Sequence, residues 1–210
     1  MSNKIKAVIF DMDGVLIDAR DWHYEALNRA LHLFGIEISR YEHLVTFDGL
    51  PTKKKLEMLT LEGRLPARLH GLINQLKQEY TMEMVYSKCK PIFQHQYALS
   101  QLKHAGYGLV VCSNSIKRTI DIMMERSKLI EYLNFFLSNE DVKHSKPDPE
   151  IYTKAMERLG VKPEQCLVVE DNDNGIKAAI ASGAHLMRVS NPTAVNYHNI
   201  LNRINEIEHA

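Results

Sequence analysis

The chain has 210 residues, and its 26 Lys and Arg balance 26 Asp and Glu, so no bulk charge draws it to nucleic acid or to an anionic membrane, and a charged ligand must be recognised locally. Its three cysteines, Cys89, Cys112 and Cys166, are odd in number and lack CxxC spacing, which excludes a disulfide framework and a zinc knuckle and fits a reducing cytoplasm. The length suits one main domain carrying an inserted smaller one, and no apolar stretch reaches the roughly 20 residues of a membrane span.

Met1 to Lys6 form a short charged lead-in, read as untargeted. Ile5 to Phe10 follow as a β-branched apolar run that stops at acids and a glycine, the pattern of a fully buried parallel strand. Between Asp18 and about Cys89 such runs vanish. Tyr24, Leu27, Leu31 and Phe34 repeat at helical spacing, as do Leu65, Leu69, Leu72, Leu76 and Tyr80. That insertion is too long for an ordinary crossover, so residues 18–88 are assigned as a helical cap over the sheet's carboxyl edge, and residues 1–17 and 89–210 as the core.

Strand-like runs return at Gly108 to Cys112, Phe135 to Leu137, Cys166 to Val169 and His185 to Val189, with helical patterns between them. Asp148 as N-cap and Pro149 as first residue open a helix whose buried stripe is Ile151, Tyr152, Ala155 and Leu159. Ile176, Ala179 and Ile180 supply the inward face of another, ended by Gly183. A final helix with a frayed charged end follows Pro192. Alternating strands and helices imply a doubly wound α/β sheet.

In such sheets ligands bind beyond the carboxyl ends of the strands. Those ends carry Asp11-Met12-Asp13-Gly14, Ser113-Asn114 and Glu170-Asp171, with Lys146 one loop after the third strand. Four carboxylates would converge if the first and fourth strands are neighbours, each pair about 4 Å apart repelling by roughly 4 kcal/mol at an effective dielectric near 20. Lys146 alone cannot offset them. A hard divalent cation can, and an oxygen-only site with a substrate phosphate is the usual setting for magnesium.

Asp11 is placed to attack phosphorus and divide one displacement into two. Asp13 is placed to protonate the leaving oxygen and later to deprotonate water. The Ser113 hydroxyl, amides at the helix start after Asn114, and Lys146 are placed for phosphate oxygens.

These residues resemble the haloacid dehalogenase superfamily of aspartate-nucleophile phosphatases, in the branch of phosphoglycolate phosphatase and beta-phosphoglucomutase. The likeness spans nearly the whole chain. It rests on Phe10-Asp11-Met12-Asp13-Gly14-Val15, Ser113-Asn114-Ser115, Ser145-Lys146-Pro147-Asp148-Pro149, and Val168-Val169-Glu170-Asp171 followed by Gly175. The resemblance implies a Rossmann-like core with an inserted helical cap. It also implies Asp11 as nucleophile and Asp13 as general acid/base, with Ser113 and Lys146 gripping phosphate. Magnesium would be held by Asp11, the Asp13 carbonyl and Asp171, with Glu170 in support.

Asp13 argues for phosphate esters, since dehalogenases that attack carbon replace that acid. His23 sits where the mutase carries a hinge histidine. Gly49-Leu50-Pro51-Thr52, however, offers threonine where the mutase has a phosphate-binding arginine, and Lys53 stands in imperfectly. The run Lys53 to Lys55 reads as a solvated helix start rather than a Schiff-base site, and Asn172 replaces the usual serine in a loop expected to be preserved. The expectation is a cytoplasmic, magnesium-dependent phosphatase, monomer or weak homodimer, acting on a small phosphorylated metabolite contacted by Ser113, Asn114, Lys146, His23, Thr52 and Lys53. A phosphosugar mutase and a non-catalytic phosphometabolite-binding protein are the alternatives. Cys112, Cys166, Trp22, Met123 and Met124 read as packing residues.

Overall fold

The computed structural model describes residues 4–209; residues 1–3, part of the charged lead-in read above, and residue 210 lie outside them. The chain divides into two compact units, Met1–Asp18 with Lys90–Ala210, and Ala19–Cys89. Strand β1 is Ala7–Phe10. The second unit holds α1 (Arg20–His32), α2 (Arg40–Glu42), α3 (Thr52–Leu61) and α4 (His70–Lys88). The first unit resumes with α5 (Phe93–His104), β2 (Gly108–Cys112), α6 (Lys117–Arg126), β3 (Phe135–Leu137) and α7 (Glu150–Leu159), then β4 (Cys166–Glu170), α8 (Asp173–Ala181), β5 (His185–Arg188) and α9 (Tyr197–Glu208).

Among the described residues the sheet has five strands in the order β3-β2-β1-β4-β5, every pairing parallel. From β1 the chain winds outward to β2 and β3, then returns to β4 on the other side. The switch point therefore lies at the carboxyl ends of β1 and β4, where an open α/β sheet parts to admit a ligand. One core packs Ala7, Ile9, Val110, Cys112 and Val168 against Ile151, Tyr152 and Ala155 of α7 and Ala178 and Ala179 of α8. β1 and β4 are buried along their whole length, so both faces are covered and their apolar residues run without alternation. No helix among the described residues is long and apolar enough to cross a membrane.

Several local expectations shift. β1 starts at Ala7 rather than Ile5, because the Ile5 amide donates to Glu208 Oε1 at 2.9 Å instead of joining the ladder. β4 runs one residue further, to Glu170, and β5 stops one earlier, at Arg188. Pro149 is the N-cap of α7 and Glu150 its first residue, with Asp148 Oδ1 accepting from the Glu150 amide at 3.0 Å. Ile180 is exposed, and Gly175, Ala178 and Ala179 form the buried face of α8. That helix approaches the sheet too closely for bulk, so small residues turn inward.

In the helical unit the expected run from Leu65 to Tyr80 is interrupted by a 3-10 turn at Ala67–Leu69 after Pro66, and Leu72 is exposed. The unit's core is Leu27, Ala30, Leu31, Ile38, Phe47, Leu56, Leu59, Leu65 and Ile73. Asn28 braces it, donating to Ile38 O at 2.7 Å and accepting from Ile38 N at 2.9 Å. Lys55 is buried beside Leu56 and Leu59, so the lysine run is not wholly solvated as read above; Lys53 and Lys54 are exposed.

His43, in a π-helical turn at His43–Phe47, is 1% exposed, and among the described residues neither ring nitrogen has a hydrogen-bond partner. Burial, seconded by Lys55, pushes it down to about 4, against the opposing pull of Asp48. An unfolded histidine titrates near 6.5. As pH falls from there, the unfolded chain gains a proton that the folded unit refuses, so stability present above ~6.5 is lost as pH falls through about 4. With allowance for solvent screening the loss is about 2 kcal/mol. Urea unfolding followed by Trp22, the single tryptophan, which lies in α1, is expected to show that loss in the wild type. His43→Leu is expected to flatten it.

Candidate active site

The parallel register pairs Phe10 with Val169, which sets Asp11, just past β1, beside Glu170, the last residue of β4. Lys146 joins them. Its Nζ donates to Asp11 Oδ1 and Glu170 Oε1, each at 2.7 Å, and to Cys112 O at 2.8 Å. All three ammonium protons are thus committed inside the protein. The Lys146 loop is clamped by Asn114, whose Nδ2 donates to Lys146 O at 3.2 Å and whose Oδ1 accepts from Lys146 N at 3.1 Å. Asn114 is here a loop brace.

Glu170 is the hub of the cluster. Oε1 also accepts from the Tyr152 hydroxyl at 2.7 Å, and Oε2 accepts from the amides of Asp171 at 3.0 Å and Asn172 at 3.3 Å. Two donors on each oxygen fill a carboxylate's usual capacity. Two glycines admit this crowding. A Cβ on Gly14, whose φ is +91°, would collide with the Asp171 carboxylate, and one on Gly175 would collide with that of Glu170. Gly175→Ala is expected to cost about 1–3 kcal/mol and to lower activity by displacing Glu170; thermal unfolding and turnover of the purified variant check both.

Asp13 stands two residues past Asp11, half-buried, and its Oδ2 accepts from the Ser115 hydroxyl at 3.1 Å. Ser113 is buried, with Oγ accepting from the Ser115 amide at 3.1 Å. Asn172 caps α8, its side chain accepting from the Asn174 amide.

Burial holds the Asp11 carboxyl well above the usual carboxylate range; Lys146 opposes this, while Glu170, Asp171 and Asp13 add to it. Burial works against the Lys146 ammonium, yet the adjoining Asp11 and Glu170 outweigh it and raise its proton affinity. Burial and Glu170 keep Tyr152 protonated as a donor, and burial raises Cys112, an inert thiol. One buried cation thus faces two buried carboxylates, with two more acids at the rim. Asp11, Glu170 and Asp171 each bring a carboxylate oxygen within 4.8 Å of the others; with both Glu170 oxygens taken by protein donors, Asp11 and Asp171 are the carboxylates left to suit a hard divalent cation.

The other sequence-derived candidates lie in the helical unit. His23 Nδ1 is 3.2 Å from Lys77 Nζ; Thr52 is half-buried and Lys53 exposed. The sequence reading gave no site role to Tyr152, Ser115, Lys55 or Lys77. Tyr152 had a usable signal, since a tyrosine on a buried stripe needs a partner for its hydroxyl.

A family model described as haloacid dehalogenase-like hydrolase matches residues 8–189. A phosphorylated carbohydrates phosphatase of Thermotoga maritima is 31% identical over 180 residues, 85% of this chain and 82% of that protein. The fructose-1-phosphate phosphatase YqaB of Escherichia coli is 27% identical over 183 residues, 87% of this chain and 95% of its own. A beta-phosphoglucomutase structure from Clostridium difficile, 21% identical, shares the fold with a TM-score of 0.83 over 98% of this chain and 100% of that one.

Proposed function

The chain belongs to the haloacid dehalogenase-like hydrolases, and on that premise we propose that it is a magnesium-dependent phosphatase working through an aspartyl phosphate on Asp11. Phosphatase activity on phosphorylated substrates agrees with its relatives. The observation that carries the finer reading is the grouping of Asp11 and Asp171 with the Lys146–Glu170 pair, where the Asp13 charge also acts on the Asp11 carboxyl.

In the first step Asp11 bonds to phosphorus while the ester oxygen departs with a proton from Asp13. In the second, Asp13 takes a proton from water, the new hydroxide bonds to phosphorus, and Asp11 leaves as carboxylate. Ser115 holds Asp13 for both transfers. Magnesium would be held by Asp11, Asp171 and the Asp13 carbonyl, where it supplies charge neutralisation for the transferring phosphoryl group. Glu170 supports rather than ligates, since both its oxygens are occupied by protein donors. Lys146 acts first on the nucleophile, fixing Asp11 and favouring its ionised form, and the Ser113 segment lines the phosphate side.

Selectivity is assigned to the helical unit, through His23, Thr52 and Lys53 with the buried Lys77 beside His23. Thr52 in place of an arginine favours hydrolysis over phosphosugar isomerisation. A panel of phosphorylated sugars and small phospho-acids, assayed with magnesium and with excess chelator, tests the reading. Phosphate release that stops on chelation is expected. Bisphosphate-primed isomerisation without phosphate release would transfer the assignment to a mutase, and binding without turnover would remove the enzyme.

A further inference from the structure

The loop after β3 grips the loop after β2. The two strands bring them together, since Cys112 pairs with Leu137 and the Ser113 amide donates to Leu137 O at 3.1 Å. The later loop is closed on itself: Asp141 Oδ2 accepts from the Ser138 amide at 2.8 Å and the Ser138 hydroxyl at 2.6 Å, and the Asp141 amide donates to Ser138 O at 3.2 Å. From that turn the Asn139 amide donates to Ser115 O at 3.2 Å, and its Nδ2 donates to Asn114 O at 2.8 Å. The next residue, Glu140, accepts from the Lys117 amide through Oε2 at 2.6 Å.

What this grip steadies is Ser115. Its carbonyl is held by Asn139, its amide donates to Ser113 Oγ at 3.1 Å, and its hydroxyl donates to Asp13 Oδ2 at 3.1 Å. The serine side chain is short, so the place of its hydroxyl follows the place of its backbone. A hydroxyl donating to Oδ2 disfavours a proton on that oxygen, and the acid proton is carried by Oδ1 instead. As Asp11 bonds to phosphorus and the ester bond breaks, that proton passes to the departing oxygen.

We propose that Asn139 is a positioning residue for proton transfer to the leaving group, holding Asn114 O and Ser115 O so that the Ser115 hydroxyl stays on Asp13 Oδ2. The inference rests on the phosphatase reading but invokes a residue outside its chemistry. Without the Asn139 amide group, Asn114 O loses a donor and the Ser115 backbone is held less firmly. The Asp13 carboxyl then turns more freely and presents its proton to the ester oxygen less often. The loss falls on esters whose leaving oxygen needs that proton and spares those whose leaving oxygen departs as a stable anion.

The test uses the full chain with magnesium and two esters: para-nitrophenyl phosphate, whose phenolate departs without a proton, and benzyl phosphate, whose alkoxide needs one. Asn139→Ala is expected to lower kcat/KM for benzyl phosphate about tenfold or more, the scale on which a misplaced catalytic group is felt, and for para-nitrophenyl phosphate less than about threefold. Asn139→Asp, which keeps the size but has no side-chain N–H at pH 8, is expected to show the same split. Adding Ser115→Ala to Asn139→Ala is expected to cost benzyl phosphate no more than about twofold beyond Ser115→Ala alone, because both act through one hydroxyl. The proposal is overturned if folded Asn139 variants lose both esters equally, if they keep benzyl phosphate within twofold, or if the Asn139 and Ser115 losses multiply. Should the wild type leave both esters intact, the panel of phosphorylated sugars decides the phosphatase reading separately, and amide hydrogen exchange decides the grip. Faster exchange at Ser115 and Lys117 in Asn139→Ala supports it, and unchanged exchange there overturns it.

Discussion

Asp11→Asn is expected to reduce phosphate release at least ~10⁴-fold, the scale on which removal of a nucleophile that acts with its neighbours is felt, while leaving the fold intact or firmer. The asparagine amide is a poor nucleophile and forms no acyl phosphate that water readily cleaves. Stability moves the other way because burial, Glu170, Asp171 and Asp13 all disfavour the Asp11 anion. Its replacement by a neutral isostere relieves that repulsion, although one bond to Lys146 is weakened. Thermal unfolding in chelator is therefore expected at or above the wild-type temperature. The rise that magnesium gives the wild type should shrink in the variant, since a ligand has gone. A variant that retains more than about one per cent of wild-type turnover would remove Asp11 from the chemistry.

The difference between what the residues announce and what the fold adds lies in sequence distance. Asp11, Asp13, Glu170 and Asp171 announce themselves because each follows a β-branched run of the kind that a parallel sheet buries, and such runs end at the ligand edge. That β1 and β4 are neighbours decides whether those acids meet, and the register Phe10 to Val169 shows that they do. Tyr152 and Ser115 carry no comparable mark. The first reaches Glu170 from 18 residues away, and the second reaches Asp13 across 102; such contacts depend on how α7 packs and on where the loop after β2 turns. Lys146 was legible as a cation but not as one whose protons are all spent on Asp11, Glu170 and Cys112 O.

Periodicity misled where packing distance overrode hydrophobicity. Ile180 fits an apolar stripe, yet Gly175 must lie against the Glu170 carboxylate, and that approach turns Ala178 and Ala179 inward and Ile180 to solvent. Lys55 reads as the third of three polar residues, but on α3 it shares the buried face of Leu56 and Leu59. At α8 one close contact sets which face of the helix turns inward.

Lys146→Met isolates the electrostatic role of the lysine. A methionine of similar length keeps the volume but leaves Asp11 and Glu170 buried with one cation removed from between them. Removing one partner of a buried ion pair typically costs about 3–5 kcal/mol, because the remaining charge is uncompensated. Tyr152 and the amides of Asp171 and Asn172 still donate to Glu170, which keeps the expected loss near the lower figure. Urea unfolding in chelator should show it in full. Magnesium should return part of it, as a dication near Asp11 and Asp171 replaces some of the missing positive charge. The combined Lys146→Met, Glu170→Gln variant should be more stable than Lys146→Met alone, for the second change removes one of the stranded anions. If the double variant is instead weaker by the sum of the two single losses, the lysine and glutamate do not act as a pair, and the charge balance argued for this site is wrong.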